Sequence, residues 1–221
     1  VLLPVEALGR CHVSAWTNAG AGQLFHSPAQ GSGIEERAVS LIEGKDAFHG
    51  TPDDLFFGHA RLAPVGAAGP EVITLARKNA RMRITVRGLD RRIPEDRYYL
   101  TVEIPNDGYD FVGNPTAGTA RVRRTGAFRD NGDFSTDEAF NLIHTDPAVS
   151  PAGGVTVNLY EKALGRSADR LIASVTDDDG RPISLPAGRT VNLLIDLNEG
   201  EGLSVYTEIT PWDEIYQWDI W

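Results

Sequence analysis

The chain alternates apolar and polar residues over one stretch after another. This period of two restricts its fold more than any other feature. In "RMRITVRGL", Met82, Ile84 and Val86 share one face, and Arg81, Arg83, Thr85 and Arg87 share the other. "YYLTVEI" sets Leu100, Val102 and Ile104 against Tyr99, Thr101 and Glu103; "VTVNLY" sets Val155, Val157 and Leu159 against Thr156, Asn158 and Tyr160. "TVNLLIDL" repeats the pattern with Val191, Leu193, Ile195 and Leu197, and "LSVYTEI" with Leu203 and Val205. Successive side chains of a strand leave on opposite faces, so each segment reads as a strand with one face on a core and one in water. Turn residues separate the segments, as in Pro105-Asn106-Asp107-Gly108 and Asp177-Asp178-Asp179-Gly180. Many short strands punctuated in this way predict an antiparallel sandwich. Helical spacing is confined to two places. Ala38, Leu41 and Ile42 would share a helix face in the 31–45 region, and "STDEAFNLIH" offers Ser135 as N-cap with Glu138 completing a capping box. Neither makes a βαβ rhythm, which disfavours a parallel nucleotide-binding sheet. The small turn residues Asn114-Pro115-Thr116-Ala117-Gly118 predict a boundary between a domain at 1–117 and a second at 118–221.

With 221 residues the chain buries enough surface to fold without staples. Its net charge of −10 argues against nucleic acid as a partner and against unaided adsorption to an anionic membrane. The single cysteine, Cys11, allows no internal disulfide and no cysteine-based metal site. In "CHVSAW" it reads as a small buried apolar residue rather than a nucleophile. No stretch is apolar for long enough to be a transmembrane helix. The opening Val1-Leu2-Leu3-Pro4 reads as the inside of a domain, so a preceding segment, including the first strand region of the first sandwich, is expected.

Catalytic motifs are missing. The five histidines show no zinc-protease spacing, and there is no nucleophile elbow or phosphate-binding loop. Ala19-Gly20-Ala21-Gly22 lacks the remainder of a dinucleotide fingerprint. Catalytic, cofactor-binding and metal-ligating residues are therefore all expected to be none. The acidic runs Asp130–Glu138 and Thr176–Gly180 do not match the spacing of a known calcium loop and read as solvated turns. The cations from Arg77 to Arg92 read as a solvated strand face paired to acids such as Glu103, or as a docking stripe for an acidic partner. "ITPWDEIYQWDIW" holds Trp212, Trp218 and Trp221. Covering one indole is worth at most ~4–6 kcal/mol, so leaving all three exposed would forfeit more than a typical domain's net stability. Trp212 is expected to close the second sandwich. The run beyond it is expected to be a terminal strand, a tail folded back over the domain, or an edge that meets a neighbour. Trp218, Trp221, Arg81 and Arg83 are the candidate partner interface. A rival reading makes Trp16, Trp218 and Trp221 a stacking platform of a carbohydrate-binding surface module.

Three segments together carry a resemblance: "LPVEALGRCHVSAWTN"; "DDLFFGHARLAP" with "EVITLARKNARMRITVRGL"; and "VNLLIDLNEGEGLSVYTEITPW". In this order the chain resembles the fimbrillin-related cell-surface lipoproteins of Bacteroidetes, in the anchor or minor-subunit branch of the type V fimbriae. The resemblance implies two tandem transthyretin-like Greek-key β-sandwich domains, an all-β fold without enzymatic activity. It also implies export through the periplasm, attachment to the outer membrane by an acylated N-terminal cysteine, and other fimbrial subunits as partners joined by β-strand donation. Cys11 is not that lipid site, because its flanks are a strand. An unpaired edge left in the first sandwich would be a template for an added strand.

Overall fold

The computed structural model describes residues 11–29, 33–62, 72–145, 154–165, 167–197 and 202–218. Within them the protein is all-β, with seventeen strands numbered in chain order and two single-turn 3-10 segments at Lys45–Ala47 and Glu95–Arg97. No helix among the described residues is long and apolar enough to cross a membrane.

The first sheet has the order β1-β4-β5, from β1 (Cys11–Thr17), β4 (Phe56–Leu62) and β5 (Ala76–Arg77). The second has the order β13-β12-β7-β3-β2. It comprises β2 (Gln23–Phe25), β3 (Arg37–Leu41), β7 (Tyr98–Asp110), β12 (Thr156–Glu161) and β13 (Arg170–Val175), with β8 (Pro115–Arg124) on the other side of β7. The third has the order β17-β16-β6-β10-β9, from β6 (Asn79–Arg87), β9 (Gly126–Phe128), β10 (Phe134–Thr136), β16 (Arg189–Asp196) and β17 (Ser204–Pro211). Strand β11 (Phe140–Ile143) also pairs with β6, and β14 (Asp177–Asp178) and β15 (Arg181–Pro182) form a small ribbon. All pairings are antiparallel except β6 with β16, which run parallel from Thr190↔Arg81 to Asp196↔Arg87.

The alternating segments bury the side chains that the pattern selects. Met82, Ile84, Val86, Leu100, Val102, Ile104, Val155, Val157, Leu159, Val191, Leu193 and Ile195 form one large core between the second and third sheets. Val205 and Leu197 pack at its margin, whereas Leu203 is exposed, contrary to the alternation in "LSVYTEI". A smaller core joins the first sheet to the second through Ala38, Val39, Leu41, Leu55, Tyr109, Ala120 and Ile143, with Trp16 and Phe111 packed against it. Strand β7 serves both cores. Its first half pairs with β12, its last residues pair with β3, and β8 runs along its other side. The approach to β3 is so close that a Cβ on Gly108 would lie 2.0 Å from the Val39 carbonyl oxygen.

Three expectations change. The 31–45 region holds β3 in place of a helix, because Ala38, Val39, Ser40 and Leu41 are all buried and a strand covered on both faces loses its alternation. Ser135 caps no helix: "STDEAFNLIH" splits into β10 and β11 along β6, and the Ser135 hydroxyl bonds the Thr136 carbonyl and faces Arg83 and Thr85. The division between 117 and 118 falls inside β8. Of its apparent linker, Asn114 ends the tight turn from β7 to β8, where the Asp110 carboxylate accepts from the Val112 and Asn114 amides and Gly113 has φ +82°, and residues 115–118 open β8 itself. Strands from both sides of that division build both the second and the third sheets.

Candidate partner interfaces

The closing aromatic run folds back over the outer face of the third sheet. Because Arg81 and Arg83 alternate with buried Met82 and Ile84, they lie on that outer face. After β17 the chain turns, and the Trp212 carbonyl accepts from Arg81 Nη1 at 2.9 Å and from the Thr190 hydroxyl at 2.8 Å. The Trp212 ring faces two guanidinium groups, Arg77 at 4.2 Å and Arg81 at 5.2 Å from its centroid. Further on, the Tyr216 amide donates to Asn192 Oδ1 at 3.2 Å, and Asn192 is the register partner of Arg83. Trp212 thus seals the sheet by cation–π stacking rather than by deep burial. Residues 214–218 run as irregular chain and not as a further strand. Trp218 sits edge-on to Tyr216 at 4.9 Å, with Tyr206 at 6.4 Å.

Of the four candidate interface residues, the fold brings two together. Arg83 and Trp218 line one open cleft of about 590 Å³ with Phe128, Arg129 and Tyr216. Arg83 has no carboxylate partner among the described residues. Burial, and secondly the charge of Arg129, hold its guanidinium below the ordinary arginine range. Arg81 is engaged under Trp212, and Trp221 lies outside the described residues. The other arginines of the stripe are not paired to Glu103. That residue lies on β7 in the opposite sheet and meets Arg121 at 3.2 Å. Arg77 pairs with Asp54 at 2.7 Å, and Arg87 with Asp133 at 3.4 Å and Asp196 at 3.6 Å.

The three-indole platform is not assembled. Trp16 belongs to the smaller core, with Phe57 at 4.5 Å, Tyr109 at 5.5 Å and Phe25 at 6.2 Å. Trp218 lies on the third sheet instead. The acidic runs are engaged within the fold: Asp177 Oδ1 accepts from the Gly180 amide, the Asp178 carboxylate accepts from Thr207 on β17, and Asp133 pairs with Arg87. Among the described residues no group of three or more His, Cys, Asp or Glu side chains is placed to hold a metal ion. Of Cys11 only the register is described, opposite Leu62.

Two sheet edges matter to an assembly role. On β17 the outward amide of Thr207 is capped by the Asp178 carboxylate at 3.0 Å, a charged guard on an edge that also exposes Tyr206 and Ile209. In the smaller sandwich, β1 pairs on one side only, with β4, and β2 on one side only, with β3, among the described residues. Between these edges runs a groove of about 370 Å³ lined by Ser14, Trp16, Phe25, Ile34 and Phe111. The Trp16 indole N–H is buried and has no acceptor among the described residues. Sequence reasoning missed this groove. Its only signal was an aromatic residue next to the end of β1 (Trp16) and at the end of β2 (Phe25).

The described residues thus form an all-β fold of two cores sharing one long strand, with an aromatic groove and a guarded sheet edge. The chain belongs to the family of fimbrillin-A associated anchor proteins Mfa1 and Mfa2, whose model matches residues 3–218. Among solved structures it is similar to the fimbrial anchor protein Mfa2 from Porphyromonas gingivalis (13% identity, TM-score 0.61, 95% of this chain and 77% of that one). It is also similar to two proteins from Bacteroides thetaiotaomicron. One is a candidate polysaccharide-binding protein (16% identity, TM-score 0.65, 98% and 78%), the other a candidate adhesin (11% identity, TM-score 0.57, 95% and 78%). No curated protein matches the chain significantly.

Proposed function

We propose that the protein is a non-enzymatic anchor or accessory subunit of a fimbria, carried through the periplasm to the outer membrane, held there by a lipid, and joined to other fimbrial subunits by β-strand addition. Membership of the anchor family supports the assembly role. The groove between β1 and β2 is the observation that carries the strand-addition reading. A strand laid along the free side of β1 gains main-chain hydrogen bonds from it, and its alternate side chains enter the apolar groove. Its carbonyls supply the acceptor that the Trp16 N–H lacks. Asp178 meanwhile keeps the β17 edge from competing for the same strand. No metal or cofactor enters this account.

Site-specific photocrosslinking tests the reading. A benzoyl-phenylalanine at Phe25, 41% exposed beside the groove, is expected to capture an extended terminal segment of a fimbrial subunit, identified by mass spectrometry. The same probe at Leu171 on β13, 50% exposed, is expected to capture nothing. Adducts at Leu171 alone, or none at Phe25 in fibre-bearing cells, would reject the groove as the joint.

A further inference from the structure

A different cleft, at the far end of β8, holds a half-buried cation without a counter-charge among the described residues. Arg124 alternates out of register with its neighbour Arg123. The Arg123 guanidinium lies on the Tyr99 ring at 3.8 Å, while that of Arg124 lies over Phe140 at 4.7 Å. Its one hydrogen bond among the described residues runs from Nη2 to the Thr51 hydroxyl at 3.0 Å, and its Nε–H is buried without an acceptor. No carboxylate among the described residues pairs with it. Burial alone holds its guanidinium below the ordinary arginine range. Buried charge without a partner is costly, and a planar fork of donors is suited to a carboxylate. Beside Arg124 opens a cleft of about 620 Å³ whose opposite wall is Asp137 and Glu138, both exposed.

The cleft is therefore bipolar: Arg123 and Arg124 line one wall, Arg124 with spare N–H donors, while Glu138 and Asp137 (the latter 3.9 Å from Arg129) line the other, with threonine hydroxyls (Thr51, Thr125) between. We propose that it binds an acidic sugar unit, a uronate or sialate residue of a glycan. The single sugar carboxylate pairs with Arg124, and the sugar hydroxyls donate to Asp137 and Glu138. An acidic peptide fits less well, because its further carboxylates would face Asp137 and Glu138 on a chain that already carries a net charge of −10. A free amino acid is small for the space, since clefts of roughly 300–1,000 Å³ accommodate larger ligands. This site is separate from the β1–β2 groove, so either can fail without the other.

The test is a titration of the folded chain with a glucuronate-terminated oligosaccharide and its carboxyl-reduced analogue. The Arg124 Nε–H resonance, identified through its contacts with the Phe140 ring, reports it in the unaltered protein. It is expected to move saturably with the uronate and to stay in place with the analogue. Arg124→Lys loses the fork and is expected to weaken binding about tenfold or more. Arg170→Gln removes the same charge from β13, outside the lining of the cleft, and is expected to leave affinity within about twofold. Each variant's melting temperature is measured alongside. An Arg124 resonance that never moves, equal binding of the reduced analogue, equal weakening by Arg170→Gln, or tighter binding of an oligoglutamate peptide would each overturn the proposal.

Discussion

Replacing Tyr109 with phenylalanine tests whether the two sandwiches hold together as the structure indicates. Tyr109 lies at 0% exposure in β7, the strand that both cores share. Its hydroxyl donates to the Lys78 carbonyl at 3.1 Å, has Asn79 Oδ1 at 3.3 Å, and accepts from the His144 amide at 3.4 Å. It thus links the smaller core to the start of β6 and the end of β11. Tyr109→Phe keeps the ring against Trp16 and His144, so it opens no cavity. What it removes is the shared partner of buried polar groups, each worth about 1–3 kcal/mol when left unmet, and their sharing points to about 2–3 kcal/mol in all. With a urea slope of about 3 kcal/mol/M for a chain of this size, the midpoint moves down by about 0.7–1 M. Urea unfolding followed by tryptophan fluorescence and by far-ultraviolet circular dichroism measures it. Both probes should report one coincident transition, because a strand common to both cores couples their unfolding. A loss below about 0.5 kcal/mol, or two separated transitions, would refute the reasoning.

Further outcomes follow from other contacts. Trp212→Leu keeps an apolar side chain but removes the ring under Arg77 and Arg81, and is expected to cost about 1–2 kcal/mol in the same assay. Arg77→Met in that background should then cost less than it does alone. Gly113→Ala places a Cβ at φ +82° and 2.4 Å from the Phe57 ring, and is expected to destabilise by about 2 kcal/mol or more, read as a lowered melting temperature. In alkali, burial raises the phenols of Tyr98, Tyr99 (to about 12) and Tyr109 above the ordinary range. A raised folded value means that the unfolded state releases its protons first. Stability is therefore intact below about pH 10 and falls as pH rises from there toward the folded values. Phenolate absorbance at pH 11 should be markedly smaller in the native protein than in denaturant.

Strands such as β6 were legible because one face is buried and the other partly exposed, an environment that imprints a period of two; β16 kept that alternation at Val191, Asn192 and Leu193 although both its faces are buried. Strand β3 was illegible for the opposite reason: covered on both faces, it shows only that Ala38, Val39 and Leu41 are apolar. Strands β10 and β11 were mistaken for a capped helix because Ser135 and Glu138 have the local chemistry of a cap, and pairing with β6 overrides it. The supposed linker at 114–118 shows that the same residues serve a hairpin and a boundary; only the pairing partners of β7 and β8 distinguish the two. Of the four residues proposed as an interface, the sequence did not show which would lie together. Arg83 and Trp218 meet in one cleft, 135 residues apart in sequence. The β1–β2 groove and the cleft beside Arg124 depend on long-range pairing, which no local pattern encodes.

The central claim is that this protein anchors or joins a fimbria at the cell surface. It is tested most directly by deleting it from its own cells and measuring how fimbrial subunits divide between the outer-membrane fraction and the medium. The account predicts that fibres leave the membrane fraction and that the intact chain restores them. Fibres that remain cell-bound in normal amount without the protein would contradict it.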